Sequence, residues 1–275
     1  MDEWRELHKD YRAVWTGRGQ GVATDGVSWF VSQNDSAPGV SRYSADFGTL
    51  EARVDIPRWD AGHVGAVSVL DDRVFVALEG PERVITFTPE LDEISSVTVD
   101  RPMESDFKKH LAWCAINPGS GLLYTCDWVD AVSLTAYHPT TGSPTPEHDI
   151  ALSKPVNRTQ GGAFSSNGNL YLASDDQLSY TEQLLVMLRL KKPSRQTFPG
   201  IHGFDAGTGA TLGYIPIVTR PLLPHFEEIE GMALGPMMID GTIAHVHLAF
   251  LDKNQFWIRD DVEIRSFVVP DTDEL

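Results

Sequence analysis

The residues in this chain best equipped for chemistry are two histidines, His63 and His110, and an acidic run, Glu227, Glu228 and Glu230. Carboxylates held close together raise one another's pKa, so one can serve as acid while the other serves as base. Two histidines with a glutamate suit Zn²⁺ or Fe²⁺, whereas oxygen ligands alone suit Ca²⁺ or Mg²⁺. A second set is polar: Gln20, Gln160, Asn34, Glu79, Asp127, Asp175 with Asp176, and Asp252. Three tryptophans, Trp59, Trp128 and Trp257, offer aromatic faces that can stack on sugars or cations. None of these groups falls in a local metal motif, a nucleophile elbow, a Walker loop or a Cys-x-x-Cys pair. They are spread over most of the chain, so only the fold can assemble them.

The elements that must do so repeat. An aromatic residue is followed by Gly at +5 and Ile at +13 in Tyr43, Gly48, Ile56, again in Tyr137, Gly142, Ile150, and again in Phe204, Gly209, Ile217. Apolar runs flank each glycine, which is a hairpin signal because glycine supplies the positive φ of a tight turn. A second frame precedes the first, at Gly21, Gly65, Trp113, Gly162 and Gly231. It reads as a short strand of small residues, a turn of Asp, Asn or Gly, then a β-branched and aromatic strand ending on a polar residue.

Together the frames define four-stranded units, with strands here lettered A to D, at about 19–56, 63–99, 110–150, 160–217 and 228–269. Four-stranded units of roughly 40–50 residues are propeller blades. Each small sheet has two apolar faces and buries them by stacking on its neighbours around a closed ring. The expected fold is therefore all-β: a single propeller domain over 1–275, most simply of five blades, with six as the alternative. The last unit lacks a fourth strand, and the N-terminal segment Asp10–Trp15 is expected to supply it and close the ring. An insertion at about 177–200 reads as a short helix or a strand. It carries the basic cluster Arg189, Lys191, Lys192 and Arg195, and fits a solvated loop, a subunit contact or a lid.

This layout turns positions into geometry. Strand A begins at the end of the molecule where strand B finishes, so Gln20, His63, His110, Gln160, Glu228 and Glu230 gather near the axis on one face. Asn34, Glu79, Asp127, Asp175 and Asp252 end the B strands on that same face. Asp and Asn also favour such positions simply by bonding nearby backbone amides. His245 and His247 alternate on one strand, where a metal pair is conceivable but sheet packing is the simpler reading.

The formal net charge of −17 disfavours nucleic acid and anionic lipid and favours cations or cationic partners. No apolar run approaches the roughly 20 residues of a membrane span. The start, MDEWRELHKDYR, has no signal-peptide core, so a cytoplasmic protein is expected. Cys114 and Cys126 are expected to be free thiols.

The stretches GAFSSNGNLYLAS at 162–174 and GFDAGTGATL at 203–212 resemble the NHL, quinoprotein and gluconolactonase-like class of propellers. The resemblance lies in the repeat frame. It implies a divalent cation on the axis, with Glu230 similar to an axial acid of gluconolactonase-like members. The expected function is an enzyme acting on a small polar or sugar-like substrate, by metal-assisted lactone or ester hydrolysis or by acid–base chemistry. Glu230, His63 and His110 would be catalytic, Glu230 and Asp175 metal ligands. Gln20, Gln160, Trp59, Trp128, Trp257 and Asp127 would bind substrate. The alternative is a propeller that binds a ligand or a protein without chemistry.

Overall fold

The computed structural model describes residues 4–7, 19–34, 37–57, 63–80, 82–100, 111–176, 185, 188–190, 199–217, 225–254 and 261–269. They form five four-stranded sheets arranged as a five-bladed β-propeller. Blade 1 is β2 (Gly19–Thr24), β3 (Ser28–Gln33), β4 (Gly39–Ser44) and β5 (Leu50–Asp55). Blade 2 is β6 (His63–Leu70), β7 (Arg73–Glu79), β8 (Arg83–Phe87) and β9 (Glu93–Thr98). Blade 3 is β10 (Ala115–Ile116), β11 (Leu123–Cys126), β12 (Ala131–Tyr137) and β13 (Ile150–Val156). Blade 4 is β14 (Thr159–Phe164), β15 (Asn169–Ser174), β16 (Gly200–Asp205) and β17 (Thr211–Pro216). Blade 5 is β18 (His225–Ile239), β19 (Thr242–Asn254) and β20 (Asp261–Val268), completed by β1 (Arg5–Leu7).

Burial follows the radius of the ring. The second strand of a blade is covered on both faces by neighbouring blades, and β3, SWFVSQ, is buried at every position. The outermost strand meets water, and β5, LEARVD, alternates between exposed and half-buried. A strand buried on both sides needs apolar or small residues throughout, while an outer one needs them only at every second position.

The closing strand differs from expectation. It is Arg5–Leu7, and the expected Asp10–Trp15 lies outside the described residues. Arg5, Glu6 and Leu7 pair with Val268, Phe267 and Ser266. Glu6 also reaches the buried Arg265 guanidinium at 3.8 Å, and Trp4 packs on Tyr171 with ring centroids 5.7 Å apart. These anchors fix the pairing on the earlier segment.

The aromatic–Gly–Ile frame marks the turn between the third and fourth strands, with a difference in blade 1 and another in blade 3. Gly142 and Gly209 have φ of +70° and +68°. Each also lies against the fourth strand of the preceding blade, where a Cβ would overlap the carbonyl of Thr98 or Ala151. In blade 1 the positive φ falls instead on Phe47, at +57°, whose ring stacks on Trp29 at 5.0 Å. In blade 3 a 3-10 turn, Pro146–His148, interrupts the ladder, so Ile150 begins β13 and the blade runs on to Val156 rather than ending at 150. Pro146 has no N–H to give to a ladder, and the three turn residues are looped out into water.

Both cysteines are buried and free. Burial pushes the Cys114 thiol up to about 12, so it stays protonated and inert. His247 is a packing residue. Its Nε2 lies 3.0 Å from the Gly235 carbonyl, which can only accept, so Nδ1 accepts the Ser266 hydroxyl at 2.7 Å. Its ring meets Trp29 edge-on at 4.7 Å, joining blades 5 and 1.

That burial has a pH consequence. Desolvation lowers the His247 pKa to about 4 from the ordinary 6.5 of an imidazole. The unfolded chain therefore takes up this proton before the folded one, and stability falls as pH drops from 6.5 toward 4. The loss should reach about 3 kcal/mol by the lower pH. Urea midpoints across that range check it: the slope should be present in the parent and flattened in His247→Gln.

Candidate functional site at the axial mouth

The five innermost strands circle the axis, and small residues set how closely they approach. A Cβ on Gly231 would stand 2.6 Å from the Gly21 Cα, and one on Gly21 would stand 2.6 Å from the Ala66 Cα. One on Gly161 would stand 2.6 Å from the Met232 amide nitrogen, and one on Gly65 would overlap the Ala112 carbonyl. Glycine is required at these positions because backbone meets backbone.

Beside this constriction four inner strands carry a β-bulge. In β6 it lies between Val64 and Val67, over Gly65 and Ala66, and in the other three it holds a polar residue. In those three the register shifts between Gly19 and Gly21, between Thr159 and Gly161, and between Ile229 and Gly231. The extra residues are Gln20, Gln160 and Glu230. A bulge places two residues opposite one and re-aims a side chain that regular alternation would send elsewhere. Blades 4, 5 and 1 are consecutive around the ring, so two carboxamides flank one carboxylate at the same level of the mouth. Gln20 and Glu230 are buried and Gln160 is half-buried. The Gln20 side-chain amide donates to the Gly19 carbonyl at 3.0 Å, which orients it.

A second layer comes from the ends of the B strands. Asn34 receives the Val64 N–H and donates to the Val64 carbonyl, both at 2.8 Å, tying blade 1 to blade 2. At the corresponding place in blade 4, Asp175 accepts the Ile229 N–H at 3.1 Å, tying blade 4 to blade 5 one residue before Glu230. These side chains are latches between blades.

The guanidinium of Arg158 completes the layer. It lies 3.2 Å from the fully buried Asp175 and 3.2 Å from Glu228, and 5.4 Å over the Trp128 ring. One cation thus joins blades 3, 4 and 5. The Trp128 indole N–H is buried and meets no acceptor among the described residues. Arg158 takes φ of +51°, a backbone conformation ordinary residues avoid, which its packed surroundings must hold in place. Sequence reasoning passed over it. The signal was present, because Arg158 sits in the short β13–β14 link, on the face where the last strand of one blade leads into the first of the next.

His63 begins β6, and its Nδ1 lies 3.2 Å from the Glu79 carboxylate at the end of β7. Its side chain is 42% exposed, so the imidazole is open to a ligand while the carboxylate orients it. Asp127 is half-buried directly after β11. His110, Trp59 and Trp257 lie outside the described residues. The structure therefore brings Gln20, Gln160 and Glu230 onto consecutive inner strands and groups Asp175, Glu228 and Trp128 around Arg158. It sets His63 with Glu79 on blade 2.

The metal expectation meets a different donor set. Among the described residues no group of three or more His, Cys, Asp and Glu side chains could hold a metal ion. Asp175 spends one oxygen on a backbone amide and faces Arg158 with the other. A guanidinium already supplies positive charge among these carboxylates, so a divalent cation does not fit there. Among the described residues no helix is long and apolar enough to cross a membrane.

No family model matches the sequence. No curated protein matches it either. Among solved structures the chain is similar to the glutaminyl cyclase of Myxococcus xanthus, at 14% identity and a TM-score of 0.57, over 97% of this chain and 97% of that one. It is similar also to the tail fiber of Staphylococcus aureus phage P68, at 13% identity and a TM-score of 0.57, over 99% of this chain and 54% of that one. At these identities the likeness is one of fold, and the chain joins them as a five-bladed β-propeller.

Proposed function

We propose that the axial mouth is the active site of an enzyme that attacks the carbonyl group of a small polar substrate by acid–base chemistry without a metal ion. The observation that carries this reading is the polar set on the bulges: of the four inner strands that carry one, three on adjacent blades place Gln20, Gln160 and Glu230 there, where β6 has Gly65 and Ala66. Glu230 is the proton acceptor. It takes a proton from the attacking water or amine, and burial among packed strands keeps competing water away. The flanking carboxamides can each donate to a substrate oxygen or accept from a substrate amine, so they orient rather than react. His63, held by Glu79, is the candidate donor to the leaving group. Trp128 lies under the Arg158 guanidinium and supports it, and Asp127 precedes it in the chain.

Two likenesses bear on the substrate. The repeat frame resembles gluconolactonase-like propellers, which favours a lactone or ester, and a glutaminyl cyclase shares the fold, which favours an amide. Both classes present a carbonyl beside polar groups. Metal assistance through Asp175 does not fit, because the Arg158 guanidinium already faces that carboxylate at 3.2 Å.

The test is a panel of sugar lactones, small esters and peptides beginning with glutamine, read by proton release, ammonia release and mass change. Glu230→Gln should lower turnover of any accepted substrate about 10²- to 10⁴-fold, with a smaller change in KM. Undiminished turnover in Glu230→Gln would overturn the reading. Thermal stabilisation by a panel compound that is not converted, lost in Glu230→Gln, would instead favour a non-catalytic binding site at the same mouth.

A further inference from the structure

The opposite end of the axis holds a separate cavity of about 40 Å³, to which all five innermost strands contribute. Its wall includes Leu70, Ile116, Ala163, Phe164 and Leu234, and all but Phe164 are half-buried. Thr24, a polar member, is occupied by its own turn: its hydroxyl donates to the Ser28 carbonyl at 2.9 Å and accepts the Gly26 N–H at 3.0 Å. The glycine constriction lies between this cavity and Glu230. A single water needs roughly 10–15 Å³ of such space, so the cavity has room for the branched end of one aliphatic side chain.

Ser68 is a second polar member, so the cavity wall is mixed, while the surface around it is apolar in one sector. Met238 and Ile243 are cross-strand partners on the β18–β19 hairpin, exposed by 57% and 45%. Val27, 69% exposed, lies on the blade 1 turn that packs against Pro236 of that hairpin. Every turn joining the first and second strands of a blade opens on this side, and all five are described. They carry Asp25, Asp71, Asp72 and Asp240, all exposed, with the exposed Arg73 directly after Asp72 at the start of β7.

We infer that this face docks a basic polypeptide segment that seats one aliphatic side chain in the axial cavity. The pocket supplies the anchor point, the exposed hairpin and Val27 extend the apolar contact, and the four aspartates face the segment's lysines or arginines. A small anchor pocket ringed by charge is the arrangement that gives register through the anchor and speed and partner choice through the charges. The site is independent of Glu230 chemistry and stands whether or not the axial mouth is catalytic.

A fluorescent lysine-rich peptide with one central leucine, followed by anisotropy against the full chain, tests it. Replacing that leucine by serine should weaken binding at least about tenfold. The charge-neutral double variant Met238→Ser, Ile243→Ser should weaken the leucine peptide by several-fold, and Asp71→Asn, Asp72→Asn should flatten its salt dependence. Glu230→Gln should change nothing. Equal binding of the leucine and serine peptides, no binding of either, or indifference to the hairpin variant would each overturn the inference.

Discussion

Asp175→Ala should cost about 3–5 kcal/mol of stability, the range for removing one partner of a buried ion pair. Asp175 is fully buried, and it holds two things at once. Its loss leaves the Ile229 N–H without the acceptor at 3.1 Å, inside a residue that is itself fully buried. It also removes one of the two carboxylates at 3.2 Å from the Arg158 guanidinium. Each penalty is that of a buried polar group stripped of its partner. Asp175→Asn distinguishes the two. It keeps an oxygen for the amide and loses only the charge, and Asn34 already performs the same latching in blade 1. The asparagine variant should therefore lose less than half as much. Denaturant titration gives both values, and a midpoint for Asp175→Ala close to that of the parent would show that the latch is unimportant.

Gly231→Ala is expected to have an effect of similar size by a different route. Overpacking a filled core costs typically about 1–3 kcal/mol where side chains can shift. Here the added methyl would meet the Gly21 Cα at 2.6 Å, and the Val22 amide nitrogen at 3.3 Å. Main chain cannot rotate away, so the inner strands of blades 5 and 1 must part, and the cost should fall at or above the upper end. Glu230 precedes Gly231 on the same bulge, so any catalytic or ligand-binding signal assigned to Glu230 should fall further than the stability change explains. Gly207→Ala is the control: its nearest neighbour would be 3.5 Å away and no positive φ is needed there. That variant should stay within about ±0.5 kcal/mol of the parent. Thermal melting of the two proteins side by side, with near-equal midpoints, would refute the packing argument.

The blade count and the identity of the inner strands were legible in the residues because stacking imposes the same demands five times. An inner strand must be narrow, so Gly21, Gly65 and Gly231 recur in the frame; in blade 4 the frame marks Gly162, which packs on Trp113, and the backbone contact falls on Gly161 beside it. A second strand must be apolar on both faces, as in RVFVALE. The tight turns need positive φ, which Gly142 and Gly209 provide. Such local requirements act residue by residue and leave a periodic trace.

The candidate site was legible only as a set of positions. Gln20, Gln160 and Glu230 could be placed near the axis, but the bulge that re-aims them depends on pairing with the next strand. Arg158 could not be found by type, because an arginine in a loop is ordinary until three blades converge on it. The same convergence changed Asp175 from an expected metal ligand into a latch beside a guanidinium. The closing strand followed similar logic: Arg5–Leu7 won its place through Arg265 and Tyr171, residues more than a hundred positions away. Repetition in the chain thus decided the architecture, since backbone sterics and burial are local or nearest-neighbour constraints. Charge pairing and the direction of individual side chains were decided by the closed ring, since they depend on which distant groups share a buried space.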